Sequence, residues 1–400
     1  MREKALTGTL VVELAEYVAG PYCAKLLAEL GADVIKVERP PLGDPARRRG
    51  PFAGDLPHSE RSILFFYVNA GKRAITLDVG EATGRDVLRR LLERADVLVE
   101  DWAPGALERL GLGYDSLHPL NPRLVMTSIS PFGHTGPYHD FSAKQLNVFH
   151  ASGHTLRDNA EGTRDMPTSA PGHVVDYDAG LSAAVATLAA LFHQGLTGHG
   201  QHIDASKQGA EAALGRVELG VGANEGLMTH NPRGAGPGSL MRARDGDVVF
   251  TPAEPHQVLA MVELMGNPEW ARGFGAMEEA MQARSNWSDI GERMAEWIAE
   301  QESVPLMERG QALGCPIGVV RSPADLLASA QYKARHFFAD VDMGLDGTAA
   351  FATVPYRFSR TPWALERPAP RLGEHNEEIL CGRLGFARRE LAALRGTGII

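Results

Sequence analysis

Short hydrophobic runs alternate with amphipathic segments along the first part of the chain. The first run covers Leu10–Leu14, and apolar residues with helical spacing follow over Tyr22–Leu30. Gly31 ends that segment, and a second hydrophobic run covers Asp33–Glu38. Two strands joined by a helix within about 30 residues form a β-α-β unit, whose strands pair in parallel through a right-handed crossover. The pattern therefore predicts a parallel sheet.

The same alternation continues toward the middle of the chain. Six further elements are predicted there: helices over Gly84–Arg94, Pro104–Leu110 and Ala179–Gln194, and strands over Ala95–Glu100, Leu124–Ser130 and Gln201–Ala205. Strands and helices in this order fold as a doubly wound α/β layer. The Ala-rich run from Ala179 to Phe192 is shorter than the roughly 18 apolar residues that span a bilayer, so we expect a buried helix.

A different pattern follows residue 206. Residues 207–229 have the spacing of one long helix, which runs into the glycine-rich segment 231–238. Beyond it, a strand is predicted over Asp247–Thr251 and helices over His256–Met265, Met277–Arg284 and Ile290–Glu300. We therefore predict a smaller α+β domain over residues 225–325, followed by a tail that mixes a helix, short strands and extended chain.

Composition and charge narrow the class of protein. The 400 residues suffice for two or three domains, and 44% hydrophobic with 22% charged residues is typical of a soluble globular chain. The formal net charge of −10 disfavours nucleic acid as a partner, so an anionic ligand would need a local basic pocket. Three scattered cysteines and the lack of an apolar leader predict a cytoplasmic protein without disulfides. No C-x-x-C pair occurs, so we expect no metal site.

Two carboxylates stand at the predicted start of the Ala-rich helix. A carboxylate near a helix N-terminus is stabilised by the unpaired N–H groups and the helix dipole. One interpretation of Asp176 and Asp178 is therefore a helix cap, for which Asp178 is the more obvious candidate. The other is a carboxylate nucleophile at the carboxyl edge of the sheet. His173 either assists Asp176 or is a loop residue, and the residues alone leave both questions open.

The turn between the first strand and the first helix is a candidate ligand site. In a doubly wound sheet this turn borders the ligand crevice, and the helix N-terminus that follows can receive a phosphate. Ala19–Pro21 is not a G-x-G-x-x-G motif, so it gives little support to a nicotinamide cofactor, and the residues alone favour a tight turn. Basic residues in the connecting segments either bind a polyphosphate or face water: Arg39, Arg47–Arg49, Lys72, Arg73 and Arg109.

The glycine-rich segment Gly234–Gly238 has two interpretations of equal weight. It could form a lid that closes over a reactive intermediate and excludes water. An ordinary loop between domains would have the same composition. The chain contains no G-x-S-x-G, P-loop or H-E-x-x-H motif, so these catalytic classes are not supported.

Taken in order, these segments resemble the family III CoA-transferases, the group of formyl-CoA transferase and the carnitine CoA-transferases. The match begins with Val12–Leu14, Ala19–Pro21 and Leu26–Pro40. It continues through Asn69–Arg73, Ala95–Glu100, Pro104–Gly105, Asn121–Leu124, Thr197–Gln201 and Leu372–Leu380. Each motif is modest, but together they cover essentially the whole chain in the right order.

The resemblance implies an architecture and a reaction. The fold would be a Rossmann-like large domain built from both chain ends, residues 1–224 and 326–400, with the small domain over 225–325 between them. Two such chains would interlock as a homodimer. The expected activity is transfer of coenzyme A from an acyl-CoA donor to a small carboxylic acid, without a metal. An acyl-CoA racemase or isomerase on the same fold, and a CoA-binding protein without catalysis, are the alternatives.

The resemblance also assigns a nucleophile. Asp176 lies four residues before Gly180, as the nucleophilic aspartate of the family does, whereas Asp178 does not match that spacing. The family mechanism implies that Asp176 attacks the thioester, giving a mixed anhydride and then an aspartyl-CoA thioester. Racemases of this fold pair the aspartate with a His near the place of Lys144. That His is absent here, which disfavours two-base racemisation.

The CoA contacts carry over by position. The expected set is Tyr17, Val18, Arg39, Asn69, Lys72, Asp101, Trp102, Arg109, Ser142, Lys144 and Gln145, with Gly234 and Gly236 in a substrate loop. Asp101, Trp102 and Ala103 replace an Asn-Phe-Arg type triplet, so a neutral donor and a cation are missing. Gln145 stands where formyl-CoA transferase has a Glu, and Ala70 and Pro131 stand where an Arg and a Gly are common.

Overall fold

The computed structural model describes residues 4–153, 170–215, 240–252, 254–274, 287–343 and 347–400. Within these ranges the chain forms two compact units. The first holds residues 4–153, 170–215 and 336–400, and the second holds residues 240–335. The predicted helix Met277–Arg284, the end of the predicted helix 207–229 and the glycine-rich segment lie outside the described residues.

A six-stranded parallel sheet organises the first unit. Its strands are β1 (Leu10–Leu14), β2 (Asp33–Glu38), β3 (Arg73–Thr76), β4 (Val97–Glu100), β5 (Val125–Ser130) and β6 (His202–Ser206). They lie in the order β3-β2-β1-β4-β5-β6, and all five pairings are parallel. This is the strand order of a dinucleotide-binding fold, in which ligands bind beyond the carboxyl ends of the strands near the point where the order reverses. The predicted doubly wound α/β sheet is confirmed.

Within the described part of residues 4–215, eight α-helices connect or follow these strands. They are α1 (Ala19–Glu29), α2 (Ile63–Asn69), α3 (Ala82–Leu92), α4 (Ala106–Arg109), α5 (Tyr114–Leu117), α6 (Gln145–Ala151), α7 (Val174–Thr197) and α8 (Lys207–Leu214). Both faces of the sheet are buried under helices. Alternate residues of β1 show this, because Val12 packs in one hydrophobic cluster with α3 and the chain's last helix, and Val11 packs in the other with α1 and α7.

The second unit carries a small antiparallel sheet. Its strands are β7 (Leu240–Arg242), β8 (Asp247–Phe250) and β9 (Ile317–Val319), in that order. Its helices are α9 (Pro255–Leu264), α10 (Trp287–Ala299), α11 (Ser303–Ala312), α12 (Pro323–Ala328) and α13 (Ala330–Arg335). The tail returns to the first unit as the antiparallel pair β10 (Phe338–Asp342) and β11 (Thr348–Ala352), followed by helix α14 (Arg388–Gly396).

The Ala-rich helix differs from its prediction at both ends and on one face. It begins at Val174 rather than Ala179, and it ends at Thr197, where Gly198 takes the left-handed conformation. Small residues on one face are buried, whereas Val185 and Phe192 on the other are 61% and 72% exposed. The expectation of a buried helix is therefore correct for one face only.

Among the described residues, α7 is the one helix long and apolar enough to cross a membrane by length and composition. Of its apolar window, 44% is buried inside the structure. The buried face contacts β5, β6 and α1 of the first unit. A helix that packs on a sheet in this way has the contacts of a core helix. A core helix and a membrane-spanning helix can share the same length and composition.

A glycine allows α7 to approach α1 closely. A Cβ atom added at Gly180 would lie 2.6 Å from the carbonyl oxygen of Ala19 and 3.2 Å from the ring of Tyr22. Residues four apart share a helix face, so Gly180 and Asp176 face α1 together. The approach at Gly180 therefore places Asp176 beside the turn that connects β1 to α1.

We expect Gly180→Ala to reduce the free energy of unfolding by about 1–3 kcal/mol, because the added methyl group must push two tightly packed helices apart. Gly195→Ala in the same helix is the control. Nothing lies within 4 Å of a Cβ atom there. Alanine also favours a helix over glycine, so this variant should be unchanged or more stable by about 0.5–1 kcal/mol. Urea unfolding of both variants checks the prediction, and equal stabilities would contradict it.

Candidate active site

Asp176 lies at the carboxyl edge of the parallel sheet, in the first turn of α7. The residue is only 4% exposed. Three segments surround it: the start of α7 itself and the start of α8 directly after β6 contact the carboxylate, and the turn between β1 and α1 contacts His173 beside it. All three lie where a doubly wound sheet binds its ligands.

Two side chains contact the carboxylate of Asp176. Lys207 Nζ donates a hydrogen bond of 2.7 Å to Oδ1, and His173 Nδ1 lies 3.6 Å from Oδ2. Burial by itself would raise the pKa of Asp176, but His173 and the charge of Lys207 together lower this pKa below its usual value. A carboxylate that stays ionised while it is largely withdrawn from water is suited to act as a nucleophile.

The early start of α7 settles two questions that the sequence left open. Asp178 belongs to the second turn of the helix, so its interpretation as the cap is wrong. His173 occupies the capping position instead, without a side-chain capping bond. Its Nε2 lies 3.4 Å from the hydroxyl oxygen of Tyr17, and the two rings meet edge to face. His173 therefore links the β1–α1 turn to Asp176 rather than standing in an unrelated loop.

Tyr17 has an unusual backbone conformation in that turn. Its φ of 69° lies in the left-handed region, which costs a non-glycine residue roughly 1–3 kcal/mol. Asp44 holds the conformation, because its Oδ1 accepts a hydrogen bond of 3.0 Å from the backbone N–H of Tyr17. Asp44 is itself buried and forms an ion pair of 2.8 Å with Lys36. The Lys36 charge, together with backbone hydrogen bonds, outweighs burial and lowers the pKa of Asp44.

Asp44 and Lys36 belong to a buried ion cluster that also contains Glu13 and Lys72. The Glu13 carboxylate joins the two lysines, at 2.8 Å from Lys36 Nζ and 2.7 Å from Lys72 Nζ. Lys72 donates a further bond of 2.8 Å to the carbonyl oxygen of Pro21, in the first turn of α1. Because these charges tie β1, β2 and α1 together, the cluster supports the β1–α1 turn from within the protein.

Two of the predicted CoA contacts belong to this interior. Asn69 and Lys72 are both fully buried, and they bond to each other at 2.9 Å. Burial lowers the pKa of Lys72 to about 8, against the opposing effect of Glu13. Their side chains therefore contact protein groups in this structure, and a role in binding CoA stays a prediction. The basic run Arg47–Arg49 is not all solvated either, because Arg47 is fully buried and forms a two-point ion pair with Glu38.

The segment after β4 packs against the same turn. Asp101 Oδ1 accepts a hydrogen bond of 2.9 Å from the backbone N–H of Glu16, and Trp102 Nε1 donates one of 2.8 Å to the carbonyl oxygen of Leu14. A Cβ atom at Gly20 would lie 3.2 Å from Asp101 Oδ2, so glycine permits this approach. Burial raises the pKa of Asp101 well above its usual value, with Lys207 acting in the opposite direction. The structure thus brings Tyr17, Val18, Asp101 and Trp102 together.

The remaining predicted CoA contacts are exposed, half-buried or outside the described residues. The Arg39 side chain is 75% exposed and lies 3.6 Å from Asp78, and Arg109 is exposed at the end of α4. Ser142 and Lys144 are exposed before α6. Gln145 is half-buried, and its Oε1 is buried without a hydrogen-bond partner among the described residues. Gly234 and Gly236 lie outside the described residues.

Lys207 is the site residue that the sequence analysis missed. It is the first residue after β6, so it stands at the carboxyl edge of the sheet, and that position was the available signal. The spacing of residues 207–229 predicted a helix that includes Lys207, but it gave no indication that the Lys207 side chain contacts Asp176. No group of three or more His, Cys, Asp or Glu side chains that could hold a metal occurs in the part of the chain that the structure describes.

Comparisons with known proteins agree on one family. The profile of CoA-transferase family III matches residues 6–376. Succinyl-CoA:(R)-benzylsuccinate CoA-transferase subunit BbsE of Thauera aromatica is 34% identical over an alignment of 391 residues, which covers 92% of this chain and 92% of the relative. Formyl-CoA:oxalate CoA-transferase of Streptomyces avermitilis is 30% identical over 427 residues, covering 99% of this chain and 100% of the relative.

A solved structure shows the same fold. A CaiB/BaiF family protein from Brucella suis superimposes with a TM-score of 0.82 at 29% sequence identity. The superposition covers 95% of this chain and 100% of the other. The α/β architecture with its six-stranded parallel sheet is therefore that of this group.

The glutamate at the end of β4 provides a test of the site's electrostatics. Glu100 is 2% exposed, and its Oε2 accepts a hydrogen bond of 2.8 Å from the backbone N–H of Trp102. Burial raises the pKa of Glu100 to about 7, although Ser128 and the Trp102 N–H lower it in part. In the unfolded chain a glutamate has its ordinary pKa of 4.5.

Between these two values the folded chain holds more protons than the unfolded chain, so this group makes the free energy of unfolding fall as the pH rises from about 4.5 to about 7. Glu100→Gln does not titrate and keeps an oxygen for the Trp102 N–H. We therefore expect the wild type to lose about 3 kcal/mol relative to this variant across the window. Urea unfolding at a series of pH values measures the difference, and parallel pH profiles would contradict the prediction.

Proposed function

The chain belongs to CoA-transferase family III, and on that premise we propose that Asp176 is the covalent nucleophile with which it moves coenzyme A between two acids. The observation that carries the proposal is the state of one carboxylate. Asp176 is buried, ionised and in contact with Lys207 and His173, at the edge of the sheet where this fold binds its ligands.

The reaction proceeds by four exchanges at acyl carbons. An Asp176 oxygen attacks the donor thioester and forms a mixed anhydride, and CoA leaves as the thiolate. The thiolate attacks the aspartyl carbon, which gives an aspartyl-CoA thioester and releases the donor acid. The acceptor carboxylate then attacks that thioester, and the thiolate leaves again. In the last exchange the thiolate attacks the acceptor carbonyl of the new anhydride, which forms the product and restores the Asp176 carboxylate.

Covalent catalysis divides one difficult transfer into easier steps, and no proton has to be gained or lost along this route. The low pKa of Asp176 keeps the attacking form populated at neutral pH. Its burial limits access of water, which would otherwise hydrolyse both covalent intermediates. The relatives' names include succinyl-CoA with benzylsuccinate and formyl-CoA with oxalate, so we propose small carboxylic acids as the donor and acceptor here.

The CoA moiety would lie along the β1–α1 turn. Tyr17, Val18, Asp101 and Trp102 meet there, and the N-terminus of α1 offers N–H groups to a phosphate. The exposed guanidinium group of Arg39 follows β2 at the same edge. Burial raises the pKa of Asp101, whereas the charge of Lys207 lowers it, and its Oδ1 is already bonded to the Glu16 N–H.

We expect Asp176→Asn to lower the rate of CoA transfer at least about a thousandfold, because an amide cannot form the anhydride or the thioester. The matched control is Asp178→Asn, two residues along the same helix, which should retain activity within about threefold. Circular dichroism of both variants checks the fold.

The intermediate itself is the second readout. The wild type is incubated with a panel of acyl-CoAs and analysed by mass spectrometry, with and without hydroxylamine. A CoA adduct on the peptide that contains Asp176 is expected, and hydroxylamine should remove it. Full activity in Asp176→Asn would exclude this residue as the nucleophile. Exchange of the α-proton of an acyl-CoA in deuterated water, without transfer, would indicate an isomerase instead.

A second copy of this chain is the proposed partner of α7. Large apolar side chains on its outer face are exposed: Leu181 49%, Val185 61%, Phe192 72% and Leu196 73%. Their spacing of four, seven and four residues forms one stripe along the helix. The family resemblance implies an interlocked homodimer, and a second chain covering this stripe would remove it from water.

We expect the wild type to sediment as a dimer and Phe192→Glu to shift it toward the monomer, because a charge in the stripe opposes apolar contact. Leu327→Glu is the control, since Leu327 in α12 is also exposed, at 47%. Sedimentation velocity over a range of concentrations measures the masses. A wild-type monomer, or a Phe192→Glu variant that stays a dimer, would contradict this interface.

A further inference from the structure

Lys207 loses its ion-pair partner during the proposed reaction. In the resting enzyme its charge is balanced by Asp176, 2.7 Å away. In the anhydride and in the aspartyl-CoA thioester, both of which rest on the proposed function, Asp176 carries no charge. A cation is then left beside the carbon that the next nucleophile must attack. In the second half of the reaction that nucleophile is an anion, the acceptor carboxylate.

The backbone holds Lys207 in place while this charge changes. Ser206 Oγ caps α8 by accepting a hydrogen bond of 3.1 Å from the N–H of Gly209. The N–H of Gln208 donates to the carbonyl oxygen of Pro131 at 3.0 Å. The Lys207 side chain is 20% exposed, so it is neither fully buried nor free in solvent.

The ion-pair partner of Lys207 in the resting enzyme is the carboxylate that becomes acylated. Asp176 is the carboxylate that pairs with Lys207 within the described residues. The charge of Asp101 also acts on Lys207, but burial raises the pKa of Asp101 and its Oδ1 already accepts a bond from Glu16. The other neighbour of Asp176 is His173, which contributes no negative charge. Once Asp176 is acylated, Lys207 loses the carboxylate with which it forms its ion pair.

We propose that Lys207 is a catalytic residue that binds the acceptor carboxylate when, and only when, Asp176 is covalently modified. An ammonium group has three donors. One can remain on the aspartyl carbonyl oxygen and polarise it, and another can hold the incoming carboxylate. The carboxylate oxygen attacks the aspartyl carbon, the C–S bond breaks, and CoA leaves with the electron pair as thiolate.

The same charge change releases the product. When the thiolate attacks the acceptor carbonyl, the bond to the aspartyl oxygen breaks and Asp176 regains its negative charge. The acceptor has become a thioester and has lost its own charge. Lys207 therefore returns to Asp176 and no longer holds the product. In the reverse sense, the same contact stabilises the donor acid as it leaves.

The test compares two nucleophiles on one preformed intermediate. The CoA thioester of the full-length protein is prepared with excess acyl-CoA and freed of small acids by gel filtration. Its discharge is then followed with the acceptor carboxylate and, separately, with hydroxylamine, which is uncharged at neutral pH. For Lys207→Met we expect discharge by the carboxylate to slow about tenfold or more, with saturation moved to higher concentration. Discharge by hydroxylamine should stay within about threefold of the wild type.

Two further variants control the charge and the length of the side chain. Lys207→Arg keeps a cation and should retain most of the discharge by carboxylate. Lys333→Met, at an exposed lysine of α13, should match the wild type with both nucleophiles. Lys207→Gln replaces Lys207→Met if the latter does not fold.

The outcomes separate the two proposals. A wild type that forms no CoA adduct on Asp176 overturns the proposed function. If the adduct forms, and Lys207→Met discharges it with carboxylate as fast as the wild type does, the proposed function stands and the role of Lys207 is overturned. Equal slowing with carboxylate and hydroxylamine would also overturn it, because it would show a general effect on the thioester. Failure of both Lys207→Met and Lys207→Gln to form the adduct would assign Lys207 to the first attack instead.

Discussion

The structure depends on keeping one carboxylate charged while it is buried. Removing Asp176 from water favours its neutral form, and the neighbouring Lys207 and His173 reverse that preference. Exposed ion pairs contribute little because water screens them, but a pair at 2.7 Å beside a nearly buried carboxylate is screened much less. His173 and the ion pair with Lys207 together thus lower the pKa of the group on which the proposed chemistry rests.

Two close approaches of the backbone and one strained turn also position the site. Gly180 lets α7 meet α1, and Gly20 lets the segment after β4 meet the β1–α1 turn. The strained conformation of Tyr17 in that turn persists because Asp44 bonds its backbone and the buried ion cluster fixes Asp44. Burying four charges for this purpose adds little net stability, since desolvation opposes each ion pair. We interpret the cluster as a means of orienting the turn rather than of stabilising the fold.

The fold was predictable where burial gives a local pattern. β1 and β2 are rich in Leu, Val and Ile because helices cover both faces of a parallel sheet, and their predicted bounds match the structure. Their buried charges Glu13 and Lys36 pair with each other. β3 has four residues and begins at Arg73, so it has no such pattern and was missed. The start of α7 was placed five residues late because Asp176 and Asp178 look like flanking residues, whereas an acidic residue is favourable within a first turn.

The site was less predictable because its contacts are not local. Asp176 was identified by its distance from Gly180, and the structure gives that spacing a physical reason in the contact with Ala19. Lys207 is 31 residues from Asp176, and no periodicity joins the two. Lys72 looks like a phosphate ligand in the sequence, but it bonds to a carboxylate on β1.

A charge that alternates between two partners also constrains the kinetics. Because every step of the proposed reaction runs in both directions, the proposed place where Lys207 receives the acceptor acid is also the place that the donor acid leaves. The two acids must then compete for the thioester form of the enzyme, and neither competes for the resting form, where Asp176 already occupies the cation. Lysine suits this exchange better than arginine, since a compact ammonium group can change partners without the fixed two-point geometry of a guanidinium group. The identity of one residue after β6 thus connects the charge of the nucleophile to the order in which the substrates bind.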